Sequence, residues 1–215
     1  MAYAHWLWVA TSDQVCVLLL APTRSAAELQ QLLGEKFEGI LTSDCFSAYN
    51  PQTATAKQKC LTHLERDLKA LEPSRNACNR DFSARVTHLL TLARQASCDY
   101  HAGQLSLEQL QQQRLQLESQ LQAVLDTPPA SGWPADAQRL KQRLHKYWSD
   151  WFTFLSHPEV KPDNNDAERA LRPVVVHRTR QWHRQKRLGW QISCPNVQFS
   201  RDDAVAGSQC RRGTL

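Results

Sequence analysis

Apolar residues near the start of the chain fall in short blocks, and further along they recur at helical spacing. His5 to Ala10 (HWLWVA) and Gln14 to Leu20 (QVCVLLL) are rich in bulky and β-branched residues. Thr11-Ser12-Asp13 between them reads as a turn, so the pattern predicts a β-hairpin. Ser25 is placed to cap a helix running to about Leu33, with Ala26, Leu29, Leu32 and Leu33 as its apolar stripe and Gly34 as its stop. Ile40 and Leu41 form a short buried strand that ends at Thr42-Ser43-Asp44. Gln58 to Thr62 reads as another short strand, leading into a helix from His63 to Leu71.

The middle of the chain is helical by the same criterion. Asp81 to Ala96 is one amphipathic segment. Leu105 to Leu125, with leucines at 105, 107, 110, 115, 117, 121 and 125, is another, and the two are expected to pack as a helical hairpin. The stretch DTPPASGWP breaks the period and is a loop. Asp136 to Leu155 predicts a third long helix, whose stripe of Leu140, Leu144, Tyr147, Trp148, Trp151, Phe152 and Leu155 suits a core better than base stacking. His157-Pro158 closes it.

Next comes Pro162 to Leu171, PDNNDAERAL. Asp163 or Asn164 can cap a helix here, with Asp166 and Glu168 near the positive end of its dipole. If the helix starts near Asn164, then Asn164, Asn165, Glu168 and Arg172 share one face, while Ala167, Ala170 and Leu171 pack on the other. From spacing alone, a plain cap and a functional carboxylate face both remain open.

Composition narrows the class. An apolar fraction of 41% over 215 residues is enough for a core. The longest apolar run, Val15 to Ala21, is far too short to span a membrane, and no signal peptide is visible. Seven cysteines with no CxxC pair argue against a disulfide framework and for a reducing cytoplasm. The net charge of +5 is uneven: from His177 to Leu215 there are eight Lys or Arg against two Asp, so the net positive charge lies in the tail. Such a tail ordinarily points to a polyanion partner. Cys60 and His63 have a Cys-x-x-His spacing, but no second pair matches it, and buried side chains are the simpler reading.

The order of elements places one carboxylate, Asp44, at the end of a buried strand and another, Glu168, on a late helix. Carboxylates drawn from distant points in sequence are what two-metal phosphoryl chemistry needs, because they hold hard Mg²⁺ ions about 4 Å apart around the scissile phosphate. The segments HWLWVAT, FEGILTSDCFSAYN, CLTHLERDLKAL and FLSHPEVKPDNNDAERALRPVVVHR also resemble the catalytic region of the insertion-sequence 66 family of transposases, and DNNDAERALRP is the most specific of them. The resemblance frames nearly all of residues 5 to 178. It implies an α/β fold, a ribonuclease-H-like core with a long α-helical insertion, and an Asp-Asp-Glu triad. Asp44 would be its second carboxylate and Glu168 its third, each a Mg²⁺ ligand. Asn164 and Asn165 would support them, and Arg169 and Arg172 would contact DNA phosphates. The implied partner is DNA at the element's ends, in the bacterial cytoplasm at the nucleoid, with homo-oligomerisation an option and no membrane.

Two departures qualify the resemblance. The family's first Asp lies on a strand just before the one that begins near His5, and in this chain that strand and its acid are missing. Asp13, in the hairpin turn, is no substitute. The expected organisation is therefore an incomplete core over residues 1–75, a helical insertion over 76–157, a helix bearing Glu168 over 158–178 and a tail over 179–215. The tail, RTRQWHRQKRLGWQISCPNVQFSRDDAVAGSQCRRGTL after His177, has no amphipathic period. When each codon's last two bases are read with the next codon's first, Trp182-His183 and Trp190-Gln191 must encode Gly. Lys186 to Trp190 can encode SAWA, and Phe199 to Gln209 can encode FLETMRLQGLN. The family's ending has a Ser-x-Trp element and a final helix, so the tail reads as disordered product of a frameshift near Arg180. The expectation is a degenerate transposase region that lacks activity. The alternative is a non-catalytic DNA-binding remnant that interferes with an intact transposase.

Overall fold

In the computed structural model, residues 5–172 and 196–199 are described. They form a mixed α/β fold. Strands β1 (Trp6–Thr11) and β2 (Cys16–Ala21) make the expected antiparallel hairpin, pairing from Trp6 with Ala21 to Thr11 with Cys16. Helix α1 (Ala26–Leu33) follows, then β3 (Lys36–Ser43), a 3₁₀ turn (Ser47–Tyr49) and β4 (Thr53–Lys59), which runs parallel to β3. Helices α2 (Leu61–Lys69), α3 (Ala77–His101), α4 (Leu107–Asp126), α5 (Ala135–Lys146) and α6 (Thr153–Ser156) come next. A last helix, α7, covers residues 165–172, and Asn196–Phe199 forms β5. The strand order is β2-β1-β5-β3-β4, with β5 parallel to β1 and antiparallel to β3. The remainder of the 179–215 tail, and with it the frameshift reading, lies outside the described residues.

Alternation along β1 explains why the sheet is covered on both faces. Trp8 and Ala10 join Leu29 of α1, Leu41 and Tyr49 in one cluster, whereas Leu7 and Val9 meet Ala167 and Leu171 of α7 in another. Ile40 and Leu41, adjacent on β3, likewise belong to different clusters. The largest cluster runs without interruption from Ile40 through α2 into the long helices. In α4 the buried positions are Leu110, Leu117, Leu121, Val124 and Leu125, which face α3 as a helical hairpin requires, while Leu107 and Leu115 are exposed. Ser106 and Gln109 form a capping box at its start. Among the described residues, no helix is long and apolar enough to cross a membrane.

Four elements differ from expectation. The strand expected at Gln58–Thr62 is the longer β4, which begins at Thr53, and α2 starts two residues early. Its alternating Thr-Ala-Thr-Ala-Lys-Gln-Lys sequence lacks the bulky residues by which a strand is recognised. At α1, Ser25 sits in the N-cap position without a side-chain cap bond. Thr23 is the polar partner instead, donating to Glu28 Oε1 at 3.0 Å and accepting from the Ser25 amide.

The third long helix is broken. After α5, Tyr147 leaves helical geometry at φ −114°, and Trp148–Asp150 and Thr153–Ser156 form separate short turns. The physical reason is the exposed edge of β4. Gln58, fully buried, donates to the Trp151 and Lys59 carbonyls at 3.1 and 2.7 Å and accepts from the Phe154 amide at 2.9 Å. Thr153 Oγ1 donates to the Lys57 carbonyl at 2.6 Å. The break thus protects a sheet edge and buries Trp151, Phe152, Phe154 and Leu155 together, which one face of a straight helix cannot do. Gln58→Leu should strand three buried partners and cost about 2–4 kcal/mol of stability. Urea denaturation would measure it, and a loss below about 0.5 kcal/mol would contradict the clamp.

Candidate functional site

Strands β3 and β4 run in parallel, so their carboxyl ends lie side by side. Asp44 is the first residue past β3. Its Oδ1 accepts the Phe46 amide at 2.9 Å, an Asx turn that shapes the loop. Beneath it, buried Lys59 at the end of β4 donates to Ser43 Oγ at 3.0 Å and to the Asp44 carbonyl at 3.1 Å. The next two amides tie the neighbourhood together. Cys60 N–H donates to the Ser43 carbonyl at 2.8 Å, and Leu61 N–H donates to the Pro162 carbonyl at 2.9 Å. The end of β3 and the loop that opens α7 are therefore both anchored on consecutive residues of the β4–α2 junction.

Within that loop Asp163 Oδ1 accepts the Asn165 amide at 3.2 Å, and the Asn164 carbonyl accepts the Glu168 amide at 3.2 Å. Glu168 is partly exposed, and its Oε1 lies 3.4 Å from Nε2 of His63 in the first turns of α2. Sequence spacing alone brought Asn164, Asn165, Glu168 and Arg172 to one face. Instead Asn164 precedes the helix and is fully buried, with no partner for its side-chain amide among the described residues, whereas Arg172 is exposed. Arg169 pairs with Asp166, which Lys161 also engages at 2.6 Å. The Lys161 hydrogen bond, aided by Arg169, holds the Asp166 carboxyl below the usual carboxylate range.

Several residues that matter here escaped the sequence reading. Arg94 of α3 bonds Glu65 of α2 at 2.7 Å, Thr62 at 3.2 Å and Asp163 at 3.5 Å, bracing the α7 loop against the helical layer. Lys59 lies inside the expected strand, but nothing in its sequence marks it as buried beneath the Asp44 turn. An arginine in the middle of an amphipathic helix carries no signal of its own.

Cys60 and His63, noted for their spacing, serve different neighbours: Cys60 is buried and His63 faces Glu168. Burial pushes the Cys60 thiol up to about 11, against the opposing pull of the Asn164, His63 and Thr62 amides. Cys16 and Cys98 are exposed. At pH 8 iodoacetamide should alkylate Cys16 and Cys98 well before Cys60, whose thiolate fraction is then about 0.1%. Peptide mass mapping reads the order, and Cys60 labelling at the same rate would contradict the burial.

A mixed sheet between helical layers, with an acid at a strand end and another on a helix docked beside it, defines an α/β protein with a polar site at the carboxyl ends of its parallel strands. The sequence model of the Transposase IS66 family matches residues 2–188, and the chain belongs to that family. No curated protein and no solved structure gave a significant match.

Proposed function

We propose that the chain is the catalytic region of a DDE transposase, built on an incomplete ribonuclease-H-like core. Asp44 and Glu168 are the second and third carboxylates of its triad, and DNA is the substrate. One observation carries this reading. Asp44 and the loop leading to Glu168 are hydrogen-bonded to the same junction, Lys59 to Leu61, at the carboxyl ends of two parallel strands. Open α/β sheets bind their ligands at such strand ends.

Two carboxylates are the hard oxygen donors that Mg²⁺ prefers. Among the described residues, however, no group of three or more His, Cys, Asp or Glu side chains could hold a metal ion. Among the described residues the donor set is thus incomplete, and a two-ion cage does not follow from it. The edge of β1 not taken by β2 is held by β5, whose sequence NVQF contains no acid. This supports a chain that does not cut DNA by itself. In the same reading Asn164 and Asn165 shape the approach to Glu168, Arg172 contacts the DNA backbone, and Arg169 does so once released from Asp166. The incomplete donor set also favours a second reading, a non-catalytic DNA-binding remnant that interferes with an intact transposase.

With Mg²⁺ or Mn²⁺ supplied, the purified chain should give no cleavage of element-end DNA above background. An intact relative should exceed it by several orders of magnitude, because such ligands act as a unit. Metal-dependent nicking by this chain that disappears in Glu168→Gln would overturn the proposed inactivity.

A further inference from the structure

Beside the Asp44 turn, between β4 and the end of α5, lies a pocket of about 260 Å³ lined by Asn50, Lys57, Lys59, Lys146, Tyr147 and Asp150. We propose that it is a phosphate site that takes one backbone phosphate of DNA, a proposal that rests on the reading of the chain as a DNA-acting transposase region.

Lys57 and Lys59 are two residues apart on one strand and so point to the same side of the sheet. Lys59 is 1% exposed, at the floor, and its ammonium lies 4.7 Å from the centre of the Tyr147 ring. Lys57 donates to the Tyr49 and Asn50 carbonyls, each at 3.1 Å. Lys146, exposed on the rim, lies 5.1 Å from the Tyr147 ring centre.

Main-chain carbonyls and aromatic rings solvate these cations without neutralising them. None of the three lysines has an ion-pair partner within 4.0 Å among the described residues. Among the described residues, Asp150 is the one acid lining the pocket, against three ammoniums. Burial lowers the pKa of Lys57, with Asp150 opposing it. An anion in the pocket would relieve that penalty. Tyr147 Oη donates to Asn50 Oδ1 at 3.0 Å, which leaves the Asn50 Nδ2 donors for a ligand.

Size selects among anions. Sites for drug-sized ligands run to about 300–1,000 Å³, so this smaller pocket suits one phosphate of a longer polymer better than a whole nucleotide. Its position fits as well. The carbonyls that Lys57 and Lys59 hold belong to Asp44, Tyr49 and Asn50, so a phosphate seated here would lie against the loop that carries Asp44.

The test is fluorescence anisotropy with a labelled duplex oligonucleotide in EDTA, which separates binding from metal and from cleavage. Lys57→Gln/Lys146→Gln should bind about ten-fold more weakly than wild type at 0.1 M salt, with a slope of log K against log salt shallower by about 0.9, the share of one phosphate. Lys36→Gln, at a remote exposed lysine paired with Glu38, should bind as wild type does. If the double variant does not show the wild-type thermal transition, Lys146→Glu alone, at an exposed position, should still weaken binding. Unchanged affinity and slope in these variants, or an equal loss in Lys36→Gln, would overturn the pocket while leaving DNA as the substrate. A wild-type chain that binds no DNA would overturn both readings. Inorganic phosphate, titrated at constant ionic strength, should compete only at millimolar levels. Displacement of the oligonucleotide at micromolar phosphate would assign the pocket to the free ion and overturn the DNA reading of it.

Discussion

Two consecutive amides at the β4–α2 junction hold the polar end of this molecule together. Cys60 donates back to the last carbonyl of β3, and Leu61 donates forward to Pro162, more than a hundred residues later in sequence. Each bond is ordinary in strength, about 1 kcal/mol net. Their importance is geometric, because adjacent amides of one peptide chain cannot drift apart. Everything between them, the whole helical layer from α2 to α6, must leave and return to the same point. The apolar cluster running from Ile40 to Val160 makes that return favourable. Arg94 reinforces it by binding Glu65 and Asp163 from the helical side.

The same constraint explains the break after α5. A straight helix through residue 155 would satisfy its own backbone but leave the outer edge of β4 without partners. Gln58 and Thr153 transfer those hydrogen bonds to the turns that follow Tyr147. The aromatic residues of this segment then pack at consecutive positions instead of along one stripe. Lys57 and Lys59 share a strand with Gln58 and face the loop that carries Asp44. The strand that anchors the helical return therefore also supplies the cations beside that acid, so positioning and charge come from one element.

Much of this was legible in the sequence. The hairpin, α1, the buried pair Ile40–Leu41 and the α3–α4 hairpin follow from apolar spacing, because bulky strand residues and regular helical stripes are local signals. The family was legible in the block around Glu168. The elements that were missed obey other rules. β4 has small and polar residues and is held by neighbours on both sides, so periodicity does not see it. The turns after α5 depend on Gln58, nearly a hundred residues away, and no local window contains that partner. Asn164 sits in a sequence that reads as an exposed polar face, yet its side chain is interior, because the loop before α7 is drawn down onto Leu61. Lys59 is buried by virtue of the Ser43–Asp44 turn above it, a tertiary relation with no sequence signature.

The proposed site requires Asp44 and Glu168 to meet at the carboxyl end of the β3–β4 pair. A crystal structure of the chain grown with Mn²⁺ and a short duplex tests this most directly. The carboxyl groups should lie within about 8 Å of each other, close enough to share a metal ion. They should do so on the side of the sheet where Leu61 meets Pro162. Carboxyl groups on opposite faces of the sheet, or Glu168 turned away from His63 with α7 detached from β1, would contradict the account.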